Sequence, residues 1–495
     1  MTNRADAIAR GVAIQFIARA IALVASVVTL ALSTRYLGIG QYGLLTTAIV
    51  FVGLFEIGTD FGLATVITRR VAAAKGNLAH LVDVSLGLKL VISVPLVLLS
   101  IVIGLVVYRG QPQTQAAIAI ISVGLLFTAV ASSYDPVFMV HVRFGAASAA
   151  DLTARAFGLV ATVMVVHFDA GLLAMAAVQL VTPLSKFAFT ALGARRLERL
   201  RPRFEVGAAL SLLREGVPFT VIIVVGILYW RADGAILSWL SNPEEVGAYG
   251  VAYSLAFNLE VISIVFASST LSTLSRHAAS DVARFDESVR LGYRFLLVCA
   301  MPIAALGVPL ARPLLQAFAG NSFVETATPV LRLFFVGVAI AFLNQHLTTA
   351  LVSLHKQNFL FRMSMVNLLI NIGLNVALIP HYGALGAGIS LVASQLSGLV
   401  VGGVALHRIR PRLFPLSQVV RMSPVCALAA AAVVASAPFG LAAQVPVGGL
   451  AVVLAALLFR AVPTQVVDIV LTRLSRPRSR PDQRDCGLGD HPPTT

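Results

Sequence analysis

Tyr36-Leu37-Gly38-Ile39-Gly40-Gln41-Tyr42-Gly43 opens one long apolar stretch, and Glu244-Glu245-Val246-Gly247-Ala248-Tyr249-Gly250 opens another. Their shared Tyr-Gly falls at Tyr42 and Tyr249, 207 positions apart. A second pair of landmarks, His167-Phe168-Asp169-Ala170-Gly171 and Ile379-Pro380-His381-Tyr382-Gly383, recurs loosely with a shift of 212. Two landmarks with nearly one offset identify a duplicated unit of about 210 residues. In a membrane protein, such a duplication points to two halves facing each other across a substrate path.

The 495 residues are 58% hydrophobic and only 12% charged, with a mean hydropathy of +0.88. A soluble domain carries roughly 25% charged residues. This much apolar surface cannot be hidden from water in a core of this size, so the solvent is lipid. The net charge of +15 does not indicate nucleic acid, because the basic residues alternate from loop to loop and form no continuous face. Cys299, Cys426 and Cys486 are too few and too scattered for a disulfide framework. No cleavable leader is visible, since the first apolar stretch is too long and lacks a small-residue cleavage site. Ala-, Val- and Arg-rich usage with four lysines suits a GC-rich bacterial genome.

Runs near the ~20 residues needed to cross a bilayer predict an all-α polytopic membrane protein with about 14 spans. They fall at 11–33, 44–67, 81–107, 116–134, 152–168, 172–192, 216–240, 246–274, 296–315, 330–354, 361–379, 383–406, 424–441 and 445–459. The N-terminus and the loops after even-numbered spans are rich in arginine (Arg69, Arg70, Arg143, Arg195, Arg196, Arg276, Arg408), while the opposite loops carry few. By the positive-inside rule both termini are expected in the cytoplasm. Six spans per half is an even number, so the two halves are parallel repeats rather than inverted ones. The expected organisation is a six-helix lobe at 1–194, a basic cytoplasmic linker at 195–215 with room for a short amphipathic helix, a second six-helix lobe at 216–410, two additional helices at 411–472, and a disordered cytoplasmic tail at 473–495.

Three motifs in register resemble a known family. Leu37-Gly38 with Tyr42-Gly43, Asp60-Phe61-Gly62-Leu63 and Arg69-Arg70 are similar to the opening of the polysaccharide-repeat-unit flippases. Asp233 followed by Val246-Gly247-Ala248-Tyr249 resembles the start of their second half. Asn371-Ile372-Gly373-Leu374-Asn375, Leu378-Ile379-Pro380 and Tyr382-Gly383-Ala384-Leu385-Gly386-Ala387-Gly388 resemble their late motif. The family belongs to the multidrug/oligosaccharidyl-lipid/polysaccharide exporter superfamily. The resemblance implies two six-helix lobes around a central cavity, alternating access, and movement of polyprenyl-diphosphate-linked glycans to the outer leaflet of the bacterial inner membrane. It implies as partners a lipid-linked anionic glycan, membrane lipids, and glycan polymerases or glycosyltransferases.

An ionisable group inside the membrane is costly and usually faces protein or water. Arg19 lies eight residues into the first span, roughly 12 Å along its axis, with Gln15 one turn earlier on the same face. A guanidinium grips a diphosphate with paired donors, so Arg19 and Gln15 are candidates for head-group binding. The bland alternative is an arginine that snorkels or pairs with an acid. Lys89 and Lys186 join the candidate cationic site, against snorkelling. Glu56 and Asp60, spaced i, i+4, share a face of the second span and are candidates for charge balance or coupling, with Glu260 at similar depth in the second half. A structural ion pair with Arg19 or Lys89 is the alternative. Arg231 and Asp233 are candidates for an outer gate, or for interfacial anchoring beside Tyr229, Trp230 and Trp239. Asn367, Asn371 and Asn375 form a stripe, with Asn344, Gln345 and His346 nearby: either glue between helices or a wet sugar path. Pro302 and Pro309 are expected to bend the ninth span. No metal site and no cofactor are expected.

The leading expectation is a lipid-linked oligosaccharide flippase. No G-x-x-x-x-G-K-[ST] sequence occurs, so a transporter without a P-loop is expected rather than an ATPase. A cation-coupled drug or metabolite antiporter, or a peptidoglycan-precursor flippase, of the same superfamily is the alternative. An enzyme would need a sizeable outer loop bearing catalytic groups, and every such loop is short.

Overall fold

The computed structural model describes residues 2–73, 76–141, 143–459 and 461, with side chains from Ile21 onward apart from positions 57, 144, 218, 219, 222 and 223. The side chains of Gln15 and Arg19, and the tail at 473–495, therefore lie outside the described residues.

Every regular element among the described residues is helical. The α-helices are α1 (Thr2–Phe55), α2 (Ile57–Asp60), α3 (Leu63–Ala72), α4 (Leu78–Val107), α5 (Pro112–Ser132), α6 (Asp135–Val140), α7 (Phe144–His167), α8 (Gly171–Arg195), α9 (Val206–Leu240), α10 (Pro243–Phe257), α11 (Val261–Ser280), α12 (Val282–Phe318), α13 (Val324–Ser353), α14 (Gln357–Ile409), α15 (Leu416–Ala435) and α16 (Leu441–Leu458). Eleven runs are long and apolar enough to cross a bilayer. Two of these are double. α1 breaks at Gly38 (φ 67) and α14 at Gly383 (φ 52), left-handed conformations that glycine adopts without strain. With α9, whose 35 residues also suffice in length, the described chain has fourteen long helices. The count agrees with the fourteen spans read from hydropathy. The helices are apolar on most sides because one face meets protein and the other meets lipid. α12 stays one helical run through Pro302, Pro309 and Pro313.

The duplicated landmarks meet in space. Within the first half, the Tyr36 hydroxyl accepts a hydrogen bond from the Gly171 amide at 2.7 Å. Within the second, the Glu245 carboxylate accepts one from the Ala384 amide at 2.8 Å, next to the Gly383 break. Each half thus pins its later landmark with its earlier one. The earlier landmarks also pack against each other across the halves. A Cβ on Gly43 would overlap the carbonyl of Pro243, one on Gly247 would come within 2.6 Å of the Ile39 oxygen, and one on Gly250 within 2.7 Å of Thr46 Cγ2. Only residues without a side chain let these backbones approach so closely.

The buried core follows the same division. One apolar cluster joins both halves near the landmarks, through Leu45, Phe51, Leu237, Val246, Phe334 and Leu391. Toward the arginine-rich end the core splits. Leu63, Val82, Phe138 and Leu200 form a cluster in the first half, and Phe285, Val289, Leu347 and Leu406 form one in the second. Leu212 at the start of α9 crosses over to the first-half cluster.

The segment between α8 and α9 is a non-helical strap at 196–205, and the helical residues at 206–214 form the first turns of α9. Pro202 and the pull of a buried acid account for this. Asp83 at the start of α4 accepts from the Arg201 amide at 2.7 Å, its backbone oxygen accepts from the Arg203 amide at 2.9 Å, and its carboxylate meets the Arg203 side chain at 3.6 Å. Backbone groups engaged in this way are not available to a helix.

Candidate functional site

Two polar cavities flank α9. The first, of about 580 Å³, is walled by α1, α5, α7, α8, α9 and α10. Its charged lining is Glu56, Asp151, Arg155, Lys186 and Arg231. Asp151 is shared, at 3.1 Å from Arg155 Nε and 3.5 Å from Lys186 Nζ. Arg155 also donates to Ser26 Oγ at 2.7 Å. Arg231 reaches Glu56 at 3.4 Å. These five side chains are between 36% and 45% exposed, so the pairs stand in a wet cavity. Solvated pairs of this kind contribute about 1 kcal/mol or less. An entering anion can therefore exchange with a carboxylate at little cost, and three cations face two acids.

The second cavity, of about 440 Å³, is lined by Tyr229, Trp230, Glu260, Asn344, Gln345, Asn367 and Gln395 among others. Glu260 ends a 3-10 turn between α10 and α11. The Asn344 amide donates to the Gln395 backbone oxygen at 2.7 Å and to its side-chain oxygen at 2.8 Å. Adjacent residues of α9 serve different cavities: Arg231 the first, Trp230 the second. A larger apolar groove of about 660 Å³ lies between α12, α13 and α15, and its one charged lining residue is Arg332.

Behind the second cavity sits a buried carboxylate. Asp233, 1% exposed, accepts from Asn375 Nδ2 at 2.6 Å and from the Tyr249 hydroxyl at 3.2 Å. Asn375 also donates to Asn371 Oδ1 at 3.1 Å, and Asn371 donates to Ser394 Oγ at 3.4 Å. No arginine or lysine pairs with Asp233 among the described residues. Burying a carboxylate without a counter-charge is costly, and these hydrogen bonds offset part of that cost.

The remaining sequence candidates disperse. Arg231 and Asp233 are two residues apart on a helix, so they point to opposite sides, one to Glu56 and the other to the asparagines. The helix breaks at Glu56 and again at Phe61 (φ 48) and Gly62 (φ 65), which turns Glu56 toward the cavity and Asp60 toward Lys89. Lys89, 1% exposed, bonds Asp60 at 3.3 Å and Ser132 at 2.7 Å and does not line the cavity. Lys186 does line it. Asn367 accepts from Ser397 at 3.0 Å and lines the second cavity, whereas Asn371 and Asn375 belong to the Asp233 cluster. Sequence reasoning missed Asp151 and Arg155. Their i, i+4 spacing at the mouth of an apolar span was the available signal.

A family model described as "Polysaccharide biosynthesis protein" matches residues 32–328. The chain belongs to that family. It is 25% identical over 218 residues to the lipopolysaccharide biosynthesis protein WzxC of Escherichia coli K12, a match covering 44% of each chain. It is 27% identical over 195 residues to the probable flippase AglR of Haloferax volcanii, covering 39% of this chain and 40% of that one. These matched stretches span less than half the length of either relative. Among solved structures, the lipid II flippase MurJ in an inward closed conformation superposes with a TM-score of 0.74 at 14% identity, covering 94% of this chain and 99% of that one. An inward-facing multidrug resistance MATE family transporter of the MOP superfamily superposes at 0.60 with 12% identity, covering 80% and 96%. At such identities the likeness is one of fold. The chain is a multi-pass membrane protein whose fold is that of these flippase and transporter structures.

Proposed function

We propose that this family member flips a polyprenyl-diphosphate-linked oligosaccharide from the cytoplasmic to the outer leaflet of a bacterial inner membrane, for cell-surface polysaccharide synthesis. The first-half cavity carries this reading. Its three cations are held by two solvent-exposed acids, so a diphosphate can replace the acids pair by pair. Arg155 and Arg231 offer forked donors and Lys186 a point charge. The arginine-rich loops support a cytoplasmic position for both termini. The landmark joint is then an outer closure, and the core divides toward the cytoplasm, where a head group enters. The lipid tail stays in the bilayer while the halves rock. Glycosyltransferases on the cytoplasmic side and a polymerase outside are the expected neighbours in the pathway.

Coupling through Asp233 would supply the energy without a P-loop. A buried carboxylate that takes up a proton or a monovalent cation in one state and releases it in the other ties transport to a gradient. This observation also keeps the cation-coupled antiporter as the second reading.

The deciding experiment depletes the protein and measures lipid-linked glycan in the inner leaflet. Build-up there, reversed by the wild-type gene and not by an Arg155→Ala/Lys186→Ala variant expressed at the same level, is expected. Normal leaflet distribution together with new sensitivity to cationic drugs favours the antiporter instead.

A further inference from the structure

We propose that the second-half cavity is a saccharide subsite that accepts neutral sugar rings and rejects acidic ones, with Glu260 as its specificity-determining residue. The proposal rests on the flippase reading, since it assigns the glycan part of the cargo to the cavity beside the one that would hold the diphosphate.

Three observations carry it. First, the cavity has a surplus of acceptors. The Glu260 carboxylate has no hydrogen bond or ion pair among the described residues although it lines the cavity. The Asn344 side-chain oxygen is buried with no donor. Its identity as oxygen is fixed, because the amide nitrogen must face the Gln395 backbone carbonyl at 2.7 Å. Groups of this kind call for a ligand rich in O–H donors, since a buried acceptor without a donor is costly. Second, Trp230 lines the cavity with an apolar indole, packed at near right angles to Tyr229 and Phe257 at centroid distances of 5.5 and 5.7 Å. A pyranose combines both needs: hydroxyls around its rim and an apolar C–H face. Third, among the described residues the lining contains no cation, whereas the neighbouring cavity has three. A carboxylate-bearing sugar would therefore meet Glu260 unscreened, and like charges brought together out of water repel strongly. Adjacent α9 residues, Arg231 and Trp230, line the two cavities, which places the cavities side by side along one helix.

The chain has two tryptophans, so Trp239→Phe leaves Trp230 as the sole reporter. The purified full-length variant is titrated with glucose, glucuronate and inorganic pyrophosphate at about pH 8, where an ordinary carboxylate is ionised. Glucose is expected to change Trp230 emission saturably, glucuronate to bind roughly tenfold more weakly, and pyrophosphate to leave the emission unchanged. Glu260→Gln is expected to abolish the discrimination by admitting glucuronate, a gain that mere disruption of the fold would not produce. Gln345→Ala, which removes another lining group, is expected to weaken both sugars alike. No saturable response to glucose, or unchanged discrimination in Glu260→Gln, overturns the subsite. Failure of the leaflet experiment with sugar binding intact overturns the flippase reading and leaves the subsite standing.

Discussion

The two cavities share a helix and little else. In the first, Asp151 pairs with Arg155 and Lys186, and Glu56 with Arg231, all in contact with water. In the second, amides bond to amides and to backbone, and its one acid stands apart. Behind it, Asp233 is held by neutral groups in a sealed cluster. The two linings thus differ in kind although one helix borders both. A pair of charges in water exchanges partners readily, whereas a network of neutral hydrogen bonds in a dry setting holds its geometry and discriminates by shape. On the proposed reading, the first cavity holds the charged head group and the second recognises the glycan.

The largest effect should come from reversing the first lining. Arg155→Glu with Lys186→Glu removes two charge-assisted contacts, each worth about 1.5–3 kcal/mol, so transport should fall by about 100-fold or more in a vesicle flipping assay at equal expression. Transport within a few-fold of wild type would erase the functional contrast between the cavities. Next, Asp60→Asn takes from Lys89, which is 1% exposed, its hydrogen-bonded carboxylate and leaves only the more distant Asp135. Loss of one partner of a buried pair costs about 3–5 kcal/mol. Here roughly 2 kcal/mol is expected, because Asp60 itself is 39% exposed. Thermal unfolding measures it, and adding Lys89→Met should recover most of the loss. A neutral contact of the second half should cost less. Asn367→Ala removes the bond from Ser397 and should destabilise by about 1 kcal/mol. A cost equal to that of Asp60→Asn would contradict the contrast.

The smallest effect concerns the arginine-rich end, where Arg69 and Arg70 of α3 hold Glu215 of α9. Glu215 lies just outside the span expected at 216–240. Hydrogen bonding from Arg70, with partial burial acting the other way and Arg69 then adding to it, keeps its carboxyl below the ordinary value. A lowered pKa means that the link contributes at neutral pH and is lost as pH falls through the Glu215 pKa. Spin labels on α3 and α9 should therefore separate at low pH in the wild type, while Glu215→Gln should show little pH dependence.

Much of the frame was legible because it follows from solvent and period. Apolar runs of bilayer length are enough to read fourteen helices from the sequence. Side-chain partnerships were less legible. Glu56 and Asp60 read as one helical face, but a turn between α1 and α2, invisible to periodicity, sends them to different partners. Arg231 and Asp233 read as a unit by proximity along the chain, although their angular separation on α9 already argued otherwise. The joint between Tyr36 and Gly171, and its counterpart between Glu245 and Ala384, depend on where distant segments arrive, which spacing alone does not tell.

The landmark joint has one more consequence. Because Gly43 rests on Pro243, and Gly247 on the Ile39 carbonyl, each copy of the motif is the mould in which the other is cast. A bulkier residue in one copy can persist only if the other recedes. Drift in the two halves is thus locked in step at this joint, while the cavity linings a few turns away remain free to diverge, and across related chains positions 39, 43, 243 and 247 should vary together or not at all.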